Sequence, residues 1–338
     1  MNHHDLLKNS GVDAILLFNS PERNDPNFIY LTDYKNTDAW ALISKKPTIY
    51  VSPLEINGIK RKGIFSFRPL NKDVYEEIKK TGANRIGINF NFISVNSLKK
   101  LTEKLKGIKF VDISEIIEKT RAVKSDKEIE RVRKACEISD KILKTVFSEA
   151  KKFGTEVELR DFIETLMKRH SVGPSFPTIV ATGKNSAVPH HFPDKTKLNG
   201  FTVLDFGVCY KNYCSDISRT IYFGRPTKKE RRDYVKVLSV QEDCIRMAKP
   251  GIPFNRINKY AKKSLGKKMT HSVGHGLGIE VHESPIANSE VGLKKNSIIT
   301  IEPGIYFNER YGIRIEDDVL VGKKPIALNN AAKDLVLL

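Results

Sequence analysis

HSVGHGLGIEVHE, residues 271–283, sets three histidines at spacings of four and seven around a run of glycines. Three readings compete for it: a metal site, a glycine-rich phosphate loop, or a tight turn that happens to contain imidazoles. The spacing is not that of the helical HExxH zinc motif. GHGLG also lacks the preceding strand and following helix that a nucleotide-binding loop needs. Between metal and turn, the decision rests on whether other ligand-type side chains are directed to the same place.

Two pairs of carboxylates answer that question. In FTVLDFGVCYKNYCSDISRTIYFG, Asp205 and Asp216 fall on the two arms of an expected hairpin that turns near Lys211 and Asn212. Neighbouring arms bring such side chains within reach of one another. Val203, Leu204, Phe206 and Val208 around them are apolar, so the carboxylates are expected inside a sheet. Burial there is costly unless each is paired or metal-bound. Taken alone, the hairpin is better served by salt bridges to Lys or Arg. The pattern recurs, however, with Glu302 in TIEPG and Glu316 in GIRIEDD, again on two arms and among isoleucines. Four converging carboxylates repel strongly without cations between them. Two divalent ions balance them, and His275 adds an imidazole. Four carboxylates, one imidazole and no thiolate suit Mn, Co or Fe better than a thiolate-rich zinc site. The metal reading of residues 271–283 is therefore the one adopted.

The segments SAVPHHFP, LDFGVCYKNYCSDISRT, HSVGHGLGIEVHE, IEPGIY and GIRIEDDVLV together resemble the metal-dependent Xaa-Pro peptidases with the pita-bread fold, the prolidases and aminopeptidases P. The resemblance covers essentially the whole chain and includes the junction RAVKSDKEIE. It implies a small N-terminal α/β domain of the creatinase N-terminal type (residues 1–121). Behind it would come a C-terminal pita-bread α+β domain (residues 122–338), two similar halves around a curved antiparallel sheet. It also implies two divalent metal ions per subunit, Mn or Co, with Fe or Zn as alternatives. Asp205 would chelate one metal, Asp216 and Glu316 would bridge both, and His275 and Glu302 would bind the other, with Glu302 also shuttling protons. A hydroxide shared by the two metals would attack the carbonyl before proline. His282 is similar to the histidine that stabilises the tetrahedral intermediate. His190 matches a substrate-contacting histidine, with His191 its neighbour. His271 matches the additional histidine of proline-specific members, and Arg314 an arginine that orients or binds substrate.

Within this group two activities compete. A prolidase cleaves Xaa-Pro dipeptides and must hold a free carboxylate beside the proline. An aminopeptidase P acts on longer Xaa-Pro peptides and leaves that side open. Some prolidases carry an arginine just after the His-Glu pair, where VHESPIAN has Ile286. The compact N-terminal domain tips the expectation to prolidase. More distant alternatives are a non-catalytic binding protein, set against the intact ligand set, and a methionine aminopeptidase, set against His271 and the N-terminal domain. A creatinase-like hydrolase working without metal is likewise set against the ligand set.

The rest of the chain fits this frame. Its 338 residues are too many for one ordinary core and suit two domains. Hydrophobic content of 40% and charged content of 29% describe a soluble protein. No apolar run approaches the roughly eighteen residues a membrane helix needs, so no membrane partner is expected. The formal charge of +18 is spread over segments such as KKSLGKK and PTKKERR. They lack the interleaved aromatics on which single strands stack, so no nucleic-acid partner is expected. His3 and His4 are read as solvated. Cys136, Cys209, Cys214 and Cys244 form no CxxC pair, which fits reduced thiols in a cytoplasm. From the resemblance, a homodimer is expected in which the N-terminal domain covers the neighbour's site. Trp40 is a candidate for reaching across or, more ordinarily, a core residue.

The apolar periods complete the expectation. In the first domain AILLF, FIYL, AWALI, TIYV and RIGINF read as short strand-like runs between helices near VYEEIKKTG and SVNSLKKLTEKLKG. After Ser125 the order becomes two helices then strands, twice over. Capping boxes open three of these helices at Ser125/Glu128, Thr155/Glu158 and Thr227/Glu230, which suggests an internal duplication.

Overall fold

The computed structural model describes residues 3–61 and 63–338; the side chains of His3 and His4 lie outside the described part. The chain divides into two compact units, Met1–Arg121 and Ala122–Leu338.

The first unit is built on a six-stranded mixed sheet. Its order is Ser66–Pro69, Thr48–Val51, Ala39–Ile43, Ala14–Asn19, Arg85–Ile88 and Lys109–Asp112. The central strand AILLFN is buried along nearly its whole length because apolar clusters cover both faces of the sheet. One segment departs from expectation. FIYL lies in the helix Pro26–Thr32, not in a strand. Asp25 caps that helix by accepting from the Asn27 amide at 2.8 Å, Pro26 occupies the first turn, and Asp33 closes it in the left-handed region at φ 62°. Local capping chemistry therefore outweighs the β propensity of Phe, Ile and Tyr. Trp40 is half-buried, edge-on to Phe18 at 4.9 Å and to Tyr75 at 5.8 Å.

The second unit shows the duplicated order directly. Helices Asp126–Glu149 and Glu156–Arg169 precede the antiparallel trio Ile179–Thr182, Gly200–Phe206 and Ile217–Phe223. Helices Lys228–Met247 and Phe254–Leu265 precede the second half's strands, where Ile298–Ile301 pairs with Asp317–Leu320. All three capping boxes form. Each helix pair buries its apolar stripe against its own strands, Leu143, Ile163 and Phe206 in one core and Val237, Ile257 and Ile301 in the other. The halves meet strand to strand. Glu316 donates its amide to the Ser218 carbonyl at 3.0 Å, and the Arg314 amide donates to Thr220 Oγ1 at 3.1 Å. No helix among the described residues is long and apolar enough to cross a membrane.

Candidate metal centre

The first carboxylate pair depends on a hairpin whose tip is Lys211–Asn212, both at positive φ (46° and 71°). Such a two-residue turn matches the twist of the strands it joins. It aligns Tyr210 with Tyr213 and Cys209 with Cys214, and further along it places Ser218 opposite Asp205. Asp205 thus ends one arm and Asp216 begins the other. In the second half, Glu302 directly follows the strand Ile298–Ile301, and Glu316 lies between Tyr311–Arg314 and Asp317–Leu320. The two pairs face one another because the strand carrying Ser218 is bonded to the chain at Glu316.

His275 arrives from the glycine-rich segment, whose glycines are required by close approach. A Cβ at Gly276 would stand 2.4 Å from the Ser284 carbonyl, and one at Gly274, itself at φ 155°, would stand 2.0 Å from the Thr300 carbonyl oxygen. With neither present, the segment lies against its neighbours. His275 Nδ1 donates to the Gly276 carbonyl at 3.2 Å. That leaves Nε2 facing the carboxylates, 3.7 Å from Asp216 Oδ2 and 3.6 Å from Glu302 Oε1. Ligand-type atoms of Asp216, His275 and Glu316 all lie within 4.8 Å of one another. Donors around one divalent ion at about 2.1 Å are spaced on this scale.

The hydrogen bonding argues that these groups face a cation. Asp205 Oδ1, Asp216 Oδ1 and Glu316 Oε1 are buried with no protein partner, although buried polar atoms are almost always satisfied. The opposite oxygens of Asp205 and Glu316 are well supported. Arg314 Nη2 donates to Asp205 Oδ2 at 2.6 Å, and Ser218 Oγ donates to Glu316 Oε2 at 2.7 Å. Each of these two carboxylates is thus held from behind and presents a bare oxygen forward. Asp216 is held through its amide, which donates to Asp318 Oδ2 at 3.0 Å.

The titration of the cluster records the same crowding. Burial, then Glu316, Asp205 and the other neighbouring carboxylates, push Asp216 well above the usual carboxylate range. Burial and then Glu302 and Asp205 push Glu316 the same way. Burial lifts Glu302 to about 8, with Arg314 opposing. Burial lowers His275 to about 4, aided by His282, so its imidazole is neutral and able to ligate. These residues are chemically suited to divalent cations: hard oxygen donors, a neutral imidazole and unsatisfied lone pairs.

Around the cluster is a cavity of about 240 Å³. His190, His282 and the ligand-type residues form its polar side, and Phe176, Pro177, Phe192 and Val281 its apolar side. The His282 ring lies 4.0 Å from that of His275, and burial lowers its pKa, with His190 adding to the effect. Arg314 and His271 do not line this cavity. Arg314 is buried and shares its donors among Asp205, Ser218 Oγ (2.9 Å) and Tyr306 Oη (3.0 Å). His271 places Nε2 2.7 Å from Tyr306 Oη and Nδ1 2.7 Å from the Ser272 carbonyl, with Glu302 Oε2 3.9 Å away. Asp205, Arg314, Tyr306 and His271 thereby form a continuous chain.

Tyr306, Ser218, Asp318 and Glu156 carry no signal of their role in the sequence. Each of them acts on a residue distant in sequence, so no local pattern marks it.

Comparison with known proteins completes the picture. Residues 130–323 match the model of metallopeptidase family M24, and residues 2–123 match the creatinase/prolidase N-terminal domain. This chain belongs to metallopeptidase family M24. As an M24 metallopeptidase it has named relatives of both proline-specific kinds. The Xaa-Pro dipeptidase of Pyrococcus horikoshii is 32% identical over 333 residues, spanning 94% of this chain and 93% of that one. The Xaa-Pro dipeptidase of Pyrococcus furiosus is 35% identical over 81% of each chain. The crystal structure of the X-Pro aminopeptidase from Thermotoga maritima superposes with a TM-score of 0.93 at 26% identity, covering 99% of this chain and all of that one.

Proposed function

We propose that this M24 enzyme is an Xaa-Pro dipeptidase that binds two divalent metal ions, Mn or Co, through Asp205, Asp216, His275, Glu302 and Glu316. The observation that carries the reading is the set of three buried carboxylate oxygens without partners, aimed into one cavity beside a neutral imidazole. Similarity to two dipeptidases, over 94% and 81% of this chain, supports the substrate class.

Bound divalent ions supply Lewis acidity for the peptide carbonyl and lower the pKa of water. The chain supplies everything else. Phe176, Pro177 and Phe192 offer an apolar wall suited to the proline ring. His190 and His282 face the polar side of the cavity, where a ring N–H donates to the carbonyl oxygen as charge develops on it. Glu302, whose Oε1 stands 3.6 Å from His275 Nε2 at the cavity wall, is the carboxylate that would take and return a proton. Arg314 holds Asp205 in register, and through Tyr306 it also fixes the edge of His271. In this reading Arg314 and His271 shape the site from behind. We further propose a homodimer whose N-terminal domain covers the neighbour's cavity.

A second reading, Xaa-Pro aminopeptidase, has its own support. Ile286 is 63% exposed on the strand Glu283–Ile286, and among the described residues no Arg or Lys lines the cavity to meet a free proline carboxylate. One assay separates the two. Metal-stripped protein with Mn or Co restored is offered an Xaa-Pro dipeptide beside an Xaa-Pro-Xaa tripeptide. Cleavage of the dipeptide alone is expected, whereas tripeptide cleavage transfers the assignment to the aminopeptidase. Turnover that survives exhaustive chelation refutes the metal mechanism.

A further inference from the structure

Glu156, His191 and Asp194 form a second cluster of ligand-type side chains, of which His191 lines the same cavity. Its hydrogen bonding differs from that of the metal centre. Glu156 is fully buried, and both its oxygens are supplied with donors. Oε1 accepts from the Thr182 amide at 2.7 Å and from Asn185 Nδ2 at 3.1 Å. Oε2 accepts from His191 Nε2 at 2.8 Å and from the Asp194 amide at 3.0 Å. With four donors on two oxygens, nothing is left aimed outward for a cation.

The partners of this carboxylate reveal its role. Thr182 ends the strand Ile179–Thr182, and Asp194 stands where the chain returns toward the helix Glu156–Arg169. The intervening residues 183–193 carry His190, Phe192 and Pro193, all of which line the cavity. His190 and Phe192 are themselves exposed, Phe192 by 79%, so packing alone does little to fix them. A single carboxylate grips both ends of the segment and, through Asn185 and His191, two points within it. Its own anchor is the first turn of the helix, where Thr155 caps and the positive end of the dipole favours a carboxylate. The Glu156 and Val157 amides add bonds to the Thr196 and Asp194 carbonyls, both at 3.1 Å.

We propose that Glu156 is a positioning residue of the active site, a buried clamp that holds residues 183–193 in the shape that presents His190 and the Phe192–Pro193 wall to the substrate. This deepens the proposed peptidase function and rests on it for the identity of the substrate. Glutamine cannot replace it. Wherever its amide nitrogen points, that group meets a backbone N–H, from Thr182 on one side or Asp194 on the other. Displacing a catalytic contact by even an ångström costs on the order of 100-fold in rate.

The test compares metal-loaded wild type, Glu156→Gln, His190→Ala and the double variant. Dipeptide kcat/KM is expected to fall about 10- to 100-fold in Glu156→Gln at unchanged metal content. In the His190→Ala background the same change is expected to cost less, because only the Phe192–Pro193 wall is then left to be positioned. An equal loss in both backgrounds, or a loss that tracks metal content or the folded fraction, overturns the clamp. Hydrogen exchange on the same proteins judges the clamp without any substrate. Amides of residues 182–194 should exchange faster in Glu156→Gln while those of Asp126–Glu149 hold, and unchanged exchange across 182–194 overturns the proposal. A wild type that cleaves no Xaa-Pro peptide refutes the functional reading alone, leaving exchange to decide the clamp. If Glu156→Gln does not fold, Asn185→Ala, which removes one donor of four, carries both tests with a smaller expected effect.

Discussion

The Arg314 guanidinium donates to Asp205 Oδ2 at 2.6 Å across 109 residues of sequence, and both groups are buried. Burial draws the arginine's pKa down, yet Tyr306, Asp205 and Glu302 more than offset this and hold it well above its ordinary value. Removing one partner of such a pair leaves the other buried without a counter-charge, a loss of about 3–5 kcal/mol. Arg314→Met is therefore expected to lower unfolding stability by about that amount in metal-free protein and to weaken metal binding through a misplaced Asp205. Urea unfolding and a metal titration check both. A variant as stable as wild type shows that Asp205 does not depend on Arg314.

Asp216 presents a bare oxygen to the cluster, and Glu316, Asp205, Asp318 and Glu302 all raise its pKa after burial. Asp216→Asn keeps the shape and removes one of the repelling charges. Peptidase activity should fall to background, while the melting temperature of metal-free protein stays level or rises. Retained turnover removes Asp216 from the ligand set. A collapsed metal-free fold shows instead that its charge is structural.

The pH response should reverse with metal. In metal-free protein the folded-state pKa values of Asp216, Glu316 and Glu302 are raised, Glu302 from 4.5 to about 8. In each case the folded state binds more protons than the unfolded chain, so the stability is full below the ordinary carboxylate pKa and is lost as pH rises, for Glu302 between 4.5 and about 8. His271 and His275 act oppositely at the acid end. Both are lowered from 6.5 to about 4, mainly by burial, so their contribution is lost as pH falls through 6.5 toward 4. The net curve should peak in mildly acidic solution. Cations displace the carboxyl protons, so the stabilisation conferred by Mn or Co should grow from pH 6 to 8. Melting curves with and without metal across this range measure both slopes. A metal-induced shift independent of pH contradicts the ionised-carboxylate cluster.

The starts of the three capped helices, the hairpin at Lys211–Asn212 and the convergence of four carboxylates near His275 have signals in the chain that are local or repeated. A capping box joins residues three apart, a turn needs its own two residues in the left-handed region, and a carboxylate among β-branched neighbours announces its cost wherever it lies. The duplication made those costs coincide, since two hairpins of one design must place their carboxylates alike. FIYL shows the limit of composition even locally, because Asp25 and Pro26 in front of it start a helix that its own side chains do not favour.

What only the tertiary structure decided is which side chains support the site from behind. Ser218 reaches Glu316 across 98 positions and Arg314 reaches Asp205 across 109. Tyr306 bridges Arg314 and His271, and Glu156 grips the segment after Thr182, 26 residues along the chain. These contacts follow from how the strands of the two halves are laid side by side, a matter of non-local packing that leaves no period or spacing in the chain. A carboxylate's need for partners can be read from residue types, but the identity of those partners depends on distances that exist only once the halves have closed on each other.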